Sequence, residues 1–389
     1  MFFFYLTLPT TPSQKVGLVS LGAGGLLAAT GSIAGVISNP SATANMSAKE
    51  ISADDLKITA TADSNPDISV KGLTVGAIAS GSNLIISARD VKVNATLKAD
   101  NATLNNLDIN AKTNSAPNLY ANGDGGGLVE VAPLAAVIED TFKQTNSVNL
   151  GGAFNVKNSV NVNAQNSDAG TYKADALGAA VIGASGVKLA RDINSNATIN
   201  LSNANIETEG SQTYTATNNL DYNLDLEAAG YGGLNASAGN LENKTNYAAN
   251  INLINSKLTT TGESSFLTLD VQTSGNASSL NNLKAAGALE VVTSNSDINT
   301  TFDNQINLNG ATLTTQGNES ATKLTSSDTT EQKYHTIANI QGGFAGVGIA
   351  NTANTLTRAN SINLSDSTLD AANNVYLNSG ESKLTRECW

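Results

Sequence analysis

The chain has 389 residues, of which 40% are hydrophobic, 5% aromatic and 14% charged, with a net charge of −12 and a pI near 4.5. Its Lys and Arg are scattered singly, so it lacks the basic stripe that nucleic acid requires, and nucleic acid is excluded as a partner. One cysteine, Cys388, and one histidine, His335, leave no disulfide framework and no zinc-type ligand spacing within the chain.

Met1-Phe2-Phe3-Phe4-Tyr5-Leu6 is apolar but no basic residue precedes it, so a start inside a longer reading frame is expected rather than a signal peptide. Residues 1–15 are set apart as a non-repeat N-terminal end. Val16 to Ile37 is the longest apolar run. Glycines and Ser/Thr break it, and it falls short of the ~18 uninterrupted apolar residues of a membrane helix.

From residue 16 to 380 one pattern recurs seven times. Its register mark is an apolar-polar-apolar triplet centred on Asn45, Thr96, Asn149, Asn200, Asn252, Asn307 and Asn363, at spacings of 51, 53, 51, 52, 55 and 56 residues. A fixed period of this size marks a stacked array in which each unit buries its apolar face only against its neighbours. Before each triplet lies a Gly/Ala-rich stretch opened by an aliphatic residue, as in Leu177-Gly178-Ala179-Ala180-Val181-Ile182. After it comes a second apolar signal, Leu56-Lys57-Ile58 in the first unit, Leu107-Asp108-Ile109 in the next and Val160-Asn161-Val162 in the third. The period within these segments is two: Tyr214, Ala216, Asn218, Leu220, Tyr222, Leu224 and Leu226 alternate with polar residues. Such alternation makes half-buried strands. The fold class expected is all-β, a repetitive parallel β-helix-like β-solenoid of seven units of about 51–56 residues. The low charge content suits strands stacked in register, where like charges would repel.

A unit of this length has a contour of roughly 175 Å, too long for a small filled cross-section. Either each unit winds twice, or it winds once with a protruding hairpin; the variable polar segment between the Gly/Ala stretch and the triplet favours the second. Residues 381–389 break the pattern without a polar cap, so the chain is expected to be a fragment of something longer.

Residues capable of chemistry are few, and none is selected as a catalytic, cofactor or metal site. His335 sits in a polar connector with no partner motif and is expected to be a solvated loop residue. Asn122-Gly123-Asp124-Gly125-Gly126-Gly127 resembles a calcium-binding turn, but the pattern occurs once; calcium-binding repeats need it many times, so a flexible loop is expected. Asp54-Asp55 and Asp168 are candidates for a glycosidase carboxylate pair. That chemistry needs a sugar groove with aromatic platforms as well, and the one tryptophan, Trp389, is terminal. Gly22-Ala23-Gly24-Gly25 and the glycines from Gly342 to Gly348 lack the lysine and helix of a phosphate loop. Asn-x-Ser/Thr triplets such as Asn94-Ala95-Thr96 and Asn196-Ala197-Thr198 follow from composition.

From Ile340 to Gly380, a Gly/Ala strand is followed by Ser361-Ile362-Asn363-Leu364-Ser365 and a second strand ending in Asn378-Ser379-Gly380. This arrangement resembles the repeats of leukotoxin-type filamentous adhesins, related in style to the filamentous haemagglutinin-like exoproteins of Gram-negative bacteria, and a weaker form runs back to Val16. The resemblance implies a β-helical shaft, secretion to the bacterial cell surface and contact with a host or neighbouring cell, through protein or glycan. Neither an N-terminal secretion domain nor a C-terminal translocator barrel is recognisable in the sequence, which leaves the export route open, and the resemblance supplies no binding residues. The functional expectation is a structural or adhesive shaft segment without catalysis, cofactor or small-molecule substrate. The alternatives are an outer-membrane β-barrel or a carbohydrate-active β-helix enzyme.

Overall fold

The computed structural model describes residues 3–10, 14–130, 135–341, 343–381 and 386–388. They form strands, turns and bends with no helix among them. Every strand pairing is parallel, and every pairing joins residues one whole repeat apart. Ile68 lies beside Leu119, Ile199 beside Ile251, and Ile306 beside Ile362. The architecture is therefore all-β and β-helix-like, with one layer per repeat. The triplets align as the sequence period requires, from Ala44–Met46 on Ala95–Leu97 to Ile306–Leu308 on Ile362–Leu364. The ladder also passes the expected repeat boundaries. Phe3–Thr10 pairs with Asp55–Ala62, and Arg386–Cys388 with Gln332–Tyr334. Met1, Phe2 and much of the 381–389 tail lie outside the described residues.

Strands such as Asp67–Ser115 run for 49 residues without leaving the ladder. Straight, that length would span about 160 Å. Instead the chain folds back on itself, since the Arg89 guanidinium reaches the Ser115 hydroxyl at 2.6 Å. Each layer thus has a base, where the triplet and the segments after it surround an aliphatic core, and two long arms that face each other and close at the Gly/Ala stretch. The expected protrusion exists, but it is not a hairpin. The arms meet through side chains, as when Asn243 Nδ2 donates to the Tyr222 hydroxyl at 3.1 Å, while their backbones pair with the layers above and below.

In the base, Leu97, Leu107, Ile109, Val160, Val162, Ile199, Leu201, Ile251 and Leu253 are fully or almost fully buried, with Leu56 and Ile58 beside them. In the arm from Tyr214 to Leu226 the alternate residues named from the sequence are all buried. The corner after the triplet uses one device five times. Gly152, Asn203, Asn255, Gly310 and Asp366 each stand two residues after the triplet's last aliphatic, and each has a positive φ, from 48° at Asn255 to 106° at Gly152. Only Gly, Asn and Asp adopt this conformation at small cost.

Where base meets arms the core turns polar. Asn218 Oδ1 accepts from Asn166 Nδ2 at 3.0 Å and from the Ser195 hydroxyl at 2.8 Å, and its own Nδ2 donates to the Ala248 carbonyl at 2.9 Å. Slightly further out lie buried ion pairs. Arg89 grips Asp140 through Nη2 at 2.6 Å and Nε at 3.3 Å, and Tyr172 adds its hydroxyl at 2.8 Å. Arg191 pairs with Asp168, which also accepts from Tyr247 at 2.7 Å, and the guanidinium lies 4.0 Å from the centre of the Tyr222 ring. Arg358 pairs with Asp328 at 3.1 Å.

Candidate functional site

The structure disperses the sequence candidates. Asp54 and Asp55 are rungs of an outer ladder, accepting from Asn105 Nδ2 at 2.9 Å and Asn106 Nδ2 at 2.7 Å. Asp168 is fully buried in its ion pair, so no sugar reaches it, and the three carboxylates do not share a groove. His335 is not a loop residue. It lies half-buried in strand Ala321–Ile340, opposite Leu280 in the next layer.

Asn122–Gly127 is likewise no loop but part of strand Asn118–Glu130. Its glycines admit close neighbours: a Cβ on Gly123 would collide with the Ala135 backbone, and one on Gly125 with the Glu130 carboxylate. Asp124 accepts from Asn122 at 3.0 Å, and Asp175 from the Tyr120 hydroxyl at 3.1 Å. Burial pushes Asp175 upward and moves Tyr120 to about 12, helped by the neighbouring negative charge of Asp175. No three acidic, His or Cys side chains converge as a metal site among the described residues. Gly24 uses its N–H in the ladder, donating to Val75 at 3.0 Å, rather than to an anion; Gly342 lies outside the described residues. Asn94 and Asn196 are ladder rungs too, accepting from Asn149 Nδ2 at 2.8 Å and from Asn250 Nδ2 at 3.4 Å.

Two outward-facing features remain. The first is the column of triplet centres. Asn200 donates to Asn149 at 3.0 Å, Asn252 to Asn200 at 2.9 Å, Asn307 to Asn252 at 3.0 Å and Asn363 to Asn307 at 2.8 Å. Asn200, Asn252 and Asn307 each both donate and accept along the stack. Beside this column an open polar groove of about 650 Å³ is lined by Thr96, Lys98, Asp100, Asn149, Asn200 and Asn203.

The second is the closed end of the arms, where the usual polarity inverts. Inward positions there are small or polar: Gly230, Asn235, Ser237 and Gly239 in one layer, Gly178, Gly183 and Ser185 in its neighbour. Outward positions are aliphatic. Ile78, Val129, Ile182, Leu234 and Leu289 stack as one continuous row through consecutive layers. The two arms converge tightly, with close approaches around Gly178, Gly183 and Gly239, and small and polar groups occupy the inward positions while the aliphatic residues of the row are turned outward. Inside this end Glu130 is almost fully buried. Burial, and secondarily the negative charge of Asp124, raises its carboxyl to about 7, while a backbone hydrogen bond from Ala179 opposes the shift.

No family model matches the chain, and neither does a curated protein or a solved structure.

Proposed function

We propose that this chain is a β-solenoid segment of the shaft of a large secreted bacterial surface adhesin, without catalysis or cofactor. The observation that carries the reading is the axial ladder. Backbone pairing and core aliphatics continue from layer to layer, with local register shifts near Ala99–Asn106 and Leu150–Gly152, and the asparagine column runs through five layers from Asn149 to Asn363. Such a stack resists bending and extends indefinitely by adding layers, which is what a display shaft requires. Seven layers at about 4.8 Å rise only some 34 Å, so a long shaft consists of many more such layers than this chain supplies. The parent protein contacts a host or neighbouring cell through protein or glycan and reaches the surface by secretion.

Parallel pairing supports this reading over an outer-membrane barrel, whose strands are antiparallel. Dispersal of Asp54, Asp55 and Asp168 likewise speaks against the polysaccharide-cleaving alternative.

An antiserum raised against the chain should label intact source cells and lose its target after brief external proteolysis. Labelling that requires permeabilised cells, or release of reducing sugar from common polysaccharides by the purified chain, would refute the proposal.

A further inference from the structure

The aliphatic row at the closed end of the arms is an interaction surface, and its spacing specifies the partner. Ile78, Ile182, Leu234 and Leu289 are 43%, 47%, 42% and 49% exposed. They stand in the middle layers, so their exposure does not come from an uncovered end of the stack. Val75, Val181, Tyr231 and Val291 flank them and are exposed to a similar extent. The row is the outer edge of a shallow apolar groove of about 450 Å³ floored by Gly183, Ala236 and Gly346.

A row of half-exposed Leu, Ile, Val and Tyr of this length offers on the order of 700 Å² of apolar surface, above the ~300–600 Å² of the largest patch on a typical monomer and near the ~800 Å² that each partner contributes to a standard stable interface. The acidic balance of the chain disfavours an anionic membrane as the cover.

The rungs of the row repeat at the inter-strand distance, about 4.8 Å. A docked helix repeats every ~5.4 Å and falls out of step by about 2.4 Å across the five rungs. A surface that keeps step along the whole row is another stack of parallel strands carrying aliphatics at the same interval. A second copy of this chain supplies such a surface, with its own ridge self-complementary about a two-fold axis. We propose that two copies associate side by side, ridge against ridge, with the aliphatic side chains of one interleaving those of the other as in a dry zipper between sheets. The proposal rests on the surface alone and stands whether or not the adhesin reading holds.

Sedimentation equilibrium of the full chain tests it. The wild-type chain is expected to be a dimer at micromolar concentration, and more completely so in high salt, which screens the repulsion between two acidic copies. The variant Ile182→Lys/Leu234→Lys/Leu289→Lys should be monomeric with an unchanged circular-dichroism melt, because the three side chains already touch water. A corresponding variant with Glu at the three positions should also be monomeric alone, and mixing the two should restore a one-to-one dimer, a result that misfolding does not produce. A wild-type chain that stays monomeric at 100 μM (a concentration of about this order exceeds the Kd of any standard stable interface) would overturn the proposal. So would a lysine variant that folds and still dimerises, or a wild-type monomer that binds neutral phosphatidylcholine vesicles instead of itself.

Discussion

The buried pair of Arg191 and Asp168 gives the sharpest test of how the layers are held together. Both side chains are fully buried. Arg191→Met keeps most of the arginine's apolar volume against Tyr222 and Tyr172 but leaves the Asp168 carboxylate with the Tyr247 hydroxyl as its remaining strong donor. Removing one partner of a buried pair costs about 3–5 kcal/mol, because an uncompensated charge stays in the core. Adding Asp168→Leu should return most of that loss and leave a deficit of about 1–3 kcal/mol for the stranded Tyr247 hydroxyl. Urea unfolding of the full chain followed by circular dichroism measures both variants. Stacked repeats can unfold in parts, so hydrogen exchange over residues 160–200 should be read alongside, and protection there should fall first in the single variant. If Arg191→Met lies within about 1 kcal/mol of the wild type, or if Asp168→Leu fails to rescue it, the pair does not hold the arms together as argued.

Three further outcomes are expected. Glu130 is raised from 4.5 to about 7, so the folded state holds its proton longer than the unfolded one. Stability should therefore fall as pH rises from about 4.5 to 7, by at most about 1.4 kcal/mol per pH unit and less where solvent screens the group; melts of Glu130→Gln at pH 5 and pH 7.5 should differ less than those of the wild type. Asn255 has φ near 48°, so Asn255→Val should cost about 1–2 kcal/mol while Asn255→Gly stays near neutral, and equal urea midpoints for both would contradict the corner geometry. Leu201→Asp places an unpaired carboxylate among fully buried aliphatics and should destabilise the chain by more than about 3 kcal/mol; an unchanged thermal midpoint would mean that the triplet register is wrong.

The base of each layer was legible in the sequence because its information is local. An alternation of Ile199 and Leu201 around Asn200 states which side faces in, and repetition at a fixed period states what stacks on what. The positive-φ corner also leaves a local trace, since Leu201, Leu253, Leu308 and Leu364 are each followed at the second position by Asn, Asn, Gly or Asp. The closed end of the arms was not legible. In Leu177–Ala184 both alternating sets are small or aliphatic, so alternation cannot say which faces inward, and only the convergence of the arms decides it. His335 and Asn122–Gly127 read as loops because polar and glycine residues usually break strands. Here the neighbouring layers supply the pairing, and a strand needs little from its own side chains. The ion pairs were hidden for a related reason. Arg89 and Asp140 are one layer apart in the fold but 51 residues apart in the chain, and a lone charge in an alternating strand gives no sign of a partner.

The placement of those pairs explains why so few charges enter the stack at all. A parallel in-register ladder puts each residue about 4.8 Å from its counterparts above and below, so a charge repeated in every layer meets its own kind twice. Asp140 lies between Ser87 and Arg191 in its column, and Arg191 between Asp140 and Asn243. The column therefore reads neutral, acid, base, neutral, and like charges are never adjacent there. Asp168 is flanked by Ser115 and Leu220 and is neutralised across the gap between the arms by Arg191 instead of within its own column. Burial by itself would push Asp140 up, but the charge and hydrogen bonds of Arg89, with Ser87 and Tyr172, hold it below the usual carboxylate range. The stability it contributes is present above the ordinary carboxylate value and disappears as pH falls through the lowered one. Each buried charge is thus fixed by neighbours in three layers at once. Slipping one repeat by two residues along the strand, the smallest shift that keeps inward faces inward, would put Asp140 beside Leu189 or Ile193 rather than Arg191, and these ion pairs thereby penalise misregister that the nearly interchangeable aliphatic and asparagine columns would tolerate.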